Sequence, residues 1–400
     1  MSRLTELIQE LCPNGVEFKK IKEVYQRLKG TPITASKMKE IENPQGEIRI
    51  FAGGKTVINA KEIDIPNANI TRVPAVLVQS RGVIDAVYYD KPFTFKNEMW
   101  AYTAENPIAV KFLYYVLKNN MEYFRSAAAG MGSLPQISLP VTEDFEIPVP
   151  PLEIQREIVR ILDTFTELTA ELTAELTARK QQYAYYRDNL LTFRVDITRK
   201  SLDELCTISA AGDAPKDALS LTKTAEYQIP VISNGIGENA FYGYTDKPKI
   251  TEPAVTVAAR GTIGYAEYRD YPYYPIIRLL SVIPKNTAVL ATKYLYYCMQ
   301  GKKYNVPLGG IPQLTAPELK KVVIPVPPLP VQQRIVTVLD NFDAICSDLN
   351  IGLPAEIEAR KKQYEFYRDQ LLTFAAQDEI VLTDRQTDRQ TDRQTDRQTD

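Results

Sequence analysis

Histidine is absent from all 400 residues. That excludes every Ser–His, Cys–His or His–metal mechanism supplied by this chain alone. Cysteine is scarce. Cys12, Cys206, Cys298 and Cys346 lie far apart with no Cys-x-x-Cys pair, which points to buried thiols in a reducing, cytoplasmic setting. No apolar run approaches the ~20 residues of a membrane-spanning helix. Met1–Gly15 reads as a short amphipathic helix stopped by Pro13 and Gly15, without the basic start and apolar stretch of a signal peptide. Nucleotide loops are missing too. Gly53-Gly54-Lys55-Thr56 resembles the end of a phosphate-binding loop, but its leading glycine would fall at Arg49. Neither a GxGxxG loop nor an Asn/Asp-Pro-Pro-Tyr/Phe segment occurs. The residues argue for no catalytic centre and no metal site.

What is present is ordinary in sum and informative in its distribution. The chain is 44% hydrophobic and 24% charged, with net charge −2 and pI near 5.7. A lone nucleic-acid binder is often basic, so the sum counts mildly against that class. By segment, the net charge is +1 over 1–146, −2 over 147–193, +4 over 194–323 and −2 over 324–374. Two neutral-to-basic stretches alternate with two acidic ones.

The same alternation is visible as an internal repeat of about 180 residues. Ile147-Pro-Val-Pro-Pro-Leu152 recurs as Ile324-Pro-Val-Pro-Pro-Leu329. Arg179-Lys-Gln-Gln-Tyr183 recurs as Arg360-Lys-Lys-Gln-Tyr364, and Tyr186-Arg-Asp-Asn-Leu-Leu-Thr-Phe193 as Tyr367-Arg-Asp-Gln-Leu-Leu-Thr-Phe374. Ahead of these blocks the echo is weaker: Arg81-Gly82 with Arg260-Gly261, Leu113-Tyr-Tyr115 with Leu295-Tyr-Tyr297, Pro135-Gln136 with Pro312-Gln313. The order is variable unit, constant unit, variable unit, constant unit.

The constant units read as helices launched by proline-rich approaches. One helix is expected over Leu152–Phe165 and a second over Thr166–Phe193, the latter ~42 Å long. Leu168, Leu172, Leu176, Tyr183, Tyr186, Leu190 and Phe193 form its apolar stripe, spaced in threes and fours apart from a polar position near Arg179. Ile357, Tyr364, Tyr367, Leu371 and Phe374 repeat it, although Gly352 and Pro354 should break the start of that copy. Two such stripes in one chain most simply pack on each other; packing within one domain is the alternative. Each variable unit reads as an α+β globule. Ala75-Val-Leu-Val78 and Ala254-Val-Thr-Val257 are strands leading into Arg-Gly turns, and helices are expected at about Ile108–Phe124 and Ala288–Lys303.

Two divergent domains alternating with near-identical Pro-Pro-Leu-x-x-Gln helices, with Gln155 and Gln332 in the same place, form a specific pattern. Over about residues 15–374 the chain resembles the specificity subunit of a type I restriction–modification system. The resemblance implies an α+β fold with two homologous target-recognition domains in pseudo-two-fold arrangement. Two long helices packed as a coiled coil would separate them. The boundaries are 1–146 and 197–323 for the domains, 147–196 and 324–374 for the helical spacers, and 375–400 for a tail. It further implies that each domain reads one half of a bipartite site in double-stranded DNA. The helices would set the gap and dock two methyltransferase subunits through spacer positions such as Gln155, Leu168, Leu172, Leu176, Tyr183, Leu190, Gln332, Ile357, Tyr364 and Leu371. S-adenosylmethionine, ATP and Mg would belong to partner methyltransferase and restriction/translocase subunits, leaving this chain without cofactor, catalytic residue or membrane association.

Since the two domains differ in sequence, the half-sites should differ, and the site should not be palindromic. The first spacer contains Thr166-Glu-Leu-Thr, Ala170-Glu-Leu-Thr and Ala174-Glu-Leu-Thr. One such unit adds ~6 Å and ~40° to a helix, so its copy number should change the gap; the alternative is plain helix-forming sequence. For DNA contact the candidates are Gly53, Gly54, Lys55, Arg81, Gly82, Asn234, Gly235, Arg260 and Gly261. Arginine suits guanine, and glycine allows close backbone approach. The Arg-Gly pair recurs in both domains, whereas residues that choose different sequences should differ, so structure or phosphate contact is its stronger reading. Lys37, Lys39, Lys96, Lys216, Lys223, Lys247 and Lys249 are either phosphate partners or ordinary surface. The Thr-Asp-Arg-Gln tail from Thr383 reads as disordered. A tetranucleotide ACAG tract would encode it in any frame, which suggests length-variable switching of the gene. Two rival readings are a self-contained restriction or modification enzyme, whose motifs should be present, and a coiled-coil scaffold without DNA preference. Neighbouring methyltransferase and helicase–nuclease genes would discriminate.

Overall fold

The computed structural model describes residues 3–54, 56–128, 134–193, 197–215, 217–304, 312–347 and 352–374. The chain divides into two units: Met1–Glu171 with the segment beginning at Glu358, and Leu172–Ile357. Both unit boundaries fall inside helical spacers, so each unit combines one globular domain with portions of two spacers.

The strands of the first unit are β1 (Phe18–Lys20), β2 (Gln26–Leu28), β3 (Ile48–Phe51), β4 (Val57–Ala60), β5 (Ala75–Gln79), β6 (Asp85–Tyr89), β7 (Phe93–Phe95), β8 (Trp100–Thr103) and β9 (Glu146–Pro148). They form an antiparallel sheet β2-β8-β5-β6, a three-stranded sheet β4-β3-β7 with β3 and β7 parallel, and the ribbon β1-β9. The ribbon sets Phe18 opposite Pro148, so the chain enters and leaves the domain at one place. β5 is buried along its whole length and apolar from Ala75 to Val78, because both of its faces are covered. Val76 and Val78 join the core under the helix Pro107–Asn119, while Ala75 and Leu77 face Phe51, Phe93 and Phe95 between the sheets. That helix starts at Pro107, with the Asn106 side chain accepting from the Ile108 N–H at 2.9 Å.

In the second unit the strands are β10 (Arg199–Ser201), β11 (Cys206–Ala210), β12 (Ile229–Ile232), β13 (Phe241–Thr245), β14 (Ala254–Val257), β15 (Ala266–Arg269), β16 (Tyr274–Pro275), β17 (Leu280–Pro284) and β18 (Val323–Pro325). Their orders, β11-β17-β14-β15, β13-β12-β16 and β10-β18, reproduce the first unit strand for strand. The weak sequence echo is therefore a duplication of topology.

Three expectations are corrected. The first spacer is one continuous helix, Leu152–Leu191, 40 residues and ~60 Å long, not two. Its threonines do not cap a new helix at residue 166. Thr164, Thr166, Thr169 and Thr177 instead donate their hydroxyls to the carbonyls four residues back. The helix expected over Ile108–Phe124 is interrupted at Asn120 and resumes as Met121–Ala127. The first segment ends where Asn120 leaves helical dihedrals, at φ −103° and ψ 20°, with its side chain donating to Val116 O at 2.8 Å. The helix expected over Ala288–Lys303 is shorter, Thr292–Met299, because Gln300 is extended and Gly301 takes φ +71°. The second spacer comprises Leu329–Ser347 and Leu353–Thr373, separated where Gly352 and Pro354 predicted a break.

Spacer helices meet within each unit. In the first, Phe165 stacks on Tyr367 at 5.4 Å, and Leu371, Leu372 and Phe374 share a core with Ile154, Ile158 and Leu162. In the second, Tyr186 stacks on Phe342 at 5.4 Å, and Leu190, Leu191 and Phe193 pack against the core holding Ile335 and Leu339.

Candidate nucleic-acid interface

In the first domain three loops converge at one end of the paired sheets. β3 runs into Ala52–Thr56, closed by Ala52 N–H donating to Thr56 O at 3.0 Å. β5 runs into Ser80-Arg81-Gly82, where Gly82 adopts φ +79° and donates to Pro135 O at 2.8 Å. Gly54 N–H reaches Arg81 O at 3.2 Å, Ile137 N–H reaches Ser80 O at 2.9 Å, and Arg81 bridges Gln136. Gly53 N–H donates to Glu98 Oε1 at 3.3 Å. Gly54, with φ +71°, has open space where a Cβ would lie. The Arg81 side chain is exposed. Lys55 lies outside the described residues.

The second domain assembles the same three loops, keeping the Arg-Gly and Pro-Gln pairs and changing the residues of the first loop. Ser233 N–H closes on Ala240 O at 2.8 Å. Asn234 Oδ1 accepts from Ala259 N–H at 2.9 Å, its carbonyl accepts from Thr262 Oγ1 at 2.7 Å, and its Nδ2 donates to Ile277 O. Gly235 is sterically required, since a Cβ there would sit 2.1 Å from Asn239 O. Arg260 donates from Nε and Nη2 to Gln313 Oε1 at 2.9 and 2.6 Å, and Gly261 takes φ +69°. The two Arg-Gly turns thus join the Pro-Gln segments that echo each other in sequence. Their role in the fold is framework. Residues from three distant stretches of sequence, singled out individually, are brought together in each domain.

The loop lysines are dispersed. Lys37 pairs with Glu40 at 2.7 Å, Lys96 with Glu98 at 3.1 Å, and Lys249 lies 5.8 Å over the Tyr274 ring. Lys39, Lys223 and Lys247 are exposed, and Lys216 lies outside the described residues.

A second duplicated cluster ties each domain to its spacer. Lys111 pairs with Asp163 at 2.7 Å, Tyr115 donates to the same carboxylate at 2.6 Å, and the ammonium lies 5.4 Å over the Tyr88 ring. Lys293, Asp340, Tyr297 and Tyr268 repeat it at 2.8, 2.5 and 5.7 Å. Burial and the neighbouring carboxylate push both tyrosine hydroxyls well above their ordinary pKa. In the first unit the cluster borders a cleft of about 440 Å³ lined also by Asp85, Lys118 and Glu167, and Lys118 pairs with Asp85 at 2.7 Å. Sequence reasoning passed over this clamp. Its signal was the matched Lys-x-x-x-Tyr before each spacer and the matched Leu-Asp inside it, Leu162-Asp163 and Leu339-Asp340.

The spacer candidates divide by burial. Gln155 and Gln332 are buried, and their amides donate to Pro150 O and Pro327 O, each at 2.8 Å, fixing the turn into each helix. Gln332 Oε1 also accepts from Ala291 N–H at 2.9 Å, whereas Gln155 Oε1 has no partner. Leu172, Ile357 and Leu371 are buried, while Leu168, Leu176, Tyr183, Leu190 and Tyr364 are half-buried. Tyr183 donates to Gln300 Oε1 at 2.6 Å, and burial raises its pKa. Among the described residues no helix is long and apolar enough to cross a membrane.

Comparison with known proteins agrees with this duplicated architecture. The type I restriction modification DNA specificity domain matches residues 13–179 and again 194–359. S.MpnORF507P, a putative type I specificity subunit of Mycoplasma pneumoniae, is 30% identical over 375 residues, covering 90% of this chain and 98% of its own. S.MpnORF89P of the same organism, also a putative type I specificity subunit, is 35% identical over 280 residues, 66% of this chain and 82% of its own. The solved S subunit of a type I restriction-modification system from M. genitalium shares the fold, with TM-score 0.57 over 92% of this chain and 98% of that one at 16% identity. Both domains and most of the spacer sequence fall within these matches, so the chain belongs to the type I restriction-modification DNA specificity family.

Proposed function

We propose that this chain is the DNA-reading subunit of a type I restriction–modification assembly in the cytoplasm. Each domain reads one half of a bipartite, non-palindromic site, and the spacer helices set the unread gap. Two methyltransferase subunits dock on the spacers and bring S-adenosylmethionine; restriction/translocase subunits bring ATP and Mg. The chain itself contributes recognition and no reacting group.

The observation that carries this reading is the three-loop cluster, present at the same topological place in both domains: the Arg-Gly and Pro-Gln pairs recur, while the loop beside them differs, Ala52–Thr56 in one and Ser233–Ala240 in the other. A shared backbone frame with divergent side chains is what two readers of unlike sequences need. Backbone and phosphate contacts position such a reader, and base-edge contacts specify. The test is co-expression with the methyltransferase subunit followed by modified-base mapping of host DNA. A two-part motif with unlike halves is expected. Methylation by this chain alone, or modification without a sequence motif, would overturn the reading.

The four-residue repeats lie in the first spacer helix where it passes from one unit to the other, at Glu171 and Leu172. One inserted Ala-Glu-Leu-Thr adds ~6 Å and ~40°. The expected outcome is a changed gap with both half-sites intact. Altered half-site bases at an unchanged gap would sink the ruler.

A further inference from the structure

Ile277 and Arg278 have φ of +53° and +60°, and they are the non-glycine residues with positive φ among those described. Two successive left-handed residues belong to a turn that normally uses Asn-Gly or Gly-Gly. A β-branched residue there is strained, and such strain persists only where the surroundings impose it. Here they do. Ile277 N–H donates to Gly212 O at 2.9 Å, its carbonyl accepts Asn234 Nδ2, and Leu279 N–H closes the turn on Ile276 O at 3.1 Å. Asn234 also takes the Ala259 N–H, which ties this β16–β17 turn to the Arg260-Gly261 turn. The constrained backbone does not serve burial. Ile277 is 47% exposed, Arg278 is exposed, and Ile236 on the Asn234 loop is 48% exposed.

The first domain connects β7 and β8 by four residues as well, closed by Met99 N–H on Lys96 O at 2.9 Å, but without left-handed residues at Asn97 and Glu98. At the position of Arg278 stands Glu98, whose carboxylate accepts the Gly53 N–H and faces Lys96. Unlike the Arg-Gly turns, this position carries opposite charges in the two domains.

We propose that the Ile277–Arg278 turn reads bases for the second domain, with Arg278 donating two parallel N–H bonds to a guanine and Ile277 resting on a neighbouring apolar base edge such as a thymine methyl. This rests on the reading that each domain recognises a half-site. It adds which residues choose the bases.

The test uses the full chain co-expressed with its methyltransferase subunit, with modified-base mapping of wild type, Arg278→Ala, Arg278→Lys and Ile277→Gly. Arg278→Ala is expected to relax one guanine position of one half-site, by roughly 5- to 150-fold in discrimination, and to leave the other half-site unchanged. Arg278→Lys, which cannot make the paired contact, should relax the same position. Ile277→Gly should raise the melting temperature by relieving the left-handed isoleucine while weakening methylation, a trade-off that a purely structural residue would not show. If Arg278→Ala and Arg278→Lys keep both half-sites, the turn does not read bases, though DNA recognition stands. If either lowers methylation evenly over all sequences, Arg278 holds a phosphate and the proposal fails. Absence of a bipartite motif in wild type would instead remove the reading beneath it.

Discussion

The layer between the two sheets is aromatic in the first domain and polar in the second. In one, Phe51, Tyr89 and Phe93 pack edge to face, and Phe93 stacks on Phe95. In the other, Arg269 stands where Tyr89 does and is 2% exposed. It donates to Glu267 at 2.9 Å, to Tyr271 OH and to Thr256 Oγ1, while Tyr273 OH donates to Ser281 Oγ at 2.9 Å. Burial pushes the Tyr273 hydroxyl up to about 12. Identical strand order on such different interiors shows that the fold depends on burial and hydrogen-bond satisfaction, not on one set of core residues. An apolar core is tolerant of substitution, but a buried charge makes each of its partners obligatory.

That contrast can be broken most sharply at Glu267. Glu267→Ala leaves Arg269 buried without its carboxylate and is expected to cost about 3–5 kcal/mol in the second domain. Arg269→Met, which removes the charge along with its need, should cost under about 1.5 kcal/mol or stabilise. Denaturant unfolding of both variants checks this. Equal losses would mean that the ion pair is not the issue.

Next comes the glycine of the converging loops. Gly235→Ala forces a Cβ against backbone and should destabilise by about 1–3 kcal/mol. Gly53→Ala meets only the movable Glu98 side chain, at 3.1 Å, and should stay within about 0.5 kcal/mol. The two turn glutamines separate by less. Gln332→Met strands the Ala291 N–H together with the Val289 and Pro327 carbonyls and is expected to cost about 1–3 kcal/mol, whereas Gln155→Met strands the Pro150 carbonyl alone and removes an acceptor that has no partner, and should cost less. Melting temperatures of the paired variants order them.

The smallest difference concerns acid. Hydrogen bonds from Ser201 and Thr315 lower the pKa of Glu204 and Glu318 in the second domain; Lys22 does the same for Asp144 in the first, and Arg160 for Glu157 at the start of its spacer. A carboxylate held below its unfolded pKa contributes stability that is complete above that value and is lost as pH falls through the folded one. Melting temperature should therefore be flat between pH 7 and about 5.5 and fall in both domains below about 4.5. A drop confined to one domain would show that these contacts are not matched.

Much of the architecture was readable before any coordinates. The Pro-Pro-Leu-x-x-Gln repeats marked both spacers, and Gly352 with Pro354 marked the break in the second, because proline and glycine act on the backbone locally. The loops at Gly53, Arg81, Asn234 and Arg260 were found one by one, through glycine freedom and arginine chemistry. Their convergence was not, since pairing of loops some 30 to 50 residues apart leaves no local trace. The clamp of Lys111, Tyr115 and Asp163 escaped for a related reason, as charged residues in a helix read equally well as solvated surface. The boundary expected at Phe165–Thr166 does not exist, because Thr164, Thr166 and Thr169 bond back to carbonyls of the preceding turn and the helix runs on.

The sequence by itself determined the duplication, the helical spacers, the lack of histidine chemistry and the family, since each is written in residue type, order and periodicity. Tertiary structure alone decided that the first spacer is unbroken, that Arg269 lies inside and that Ile277 and Arg278 bend the wrong way for their kind. Those outcomes come from partners distant along the chain, whose hydrogen bonds and packing outweigh the local preference of a residue.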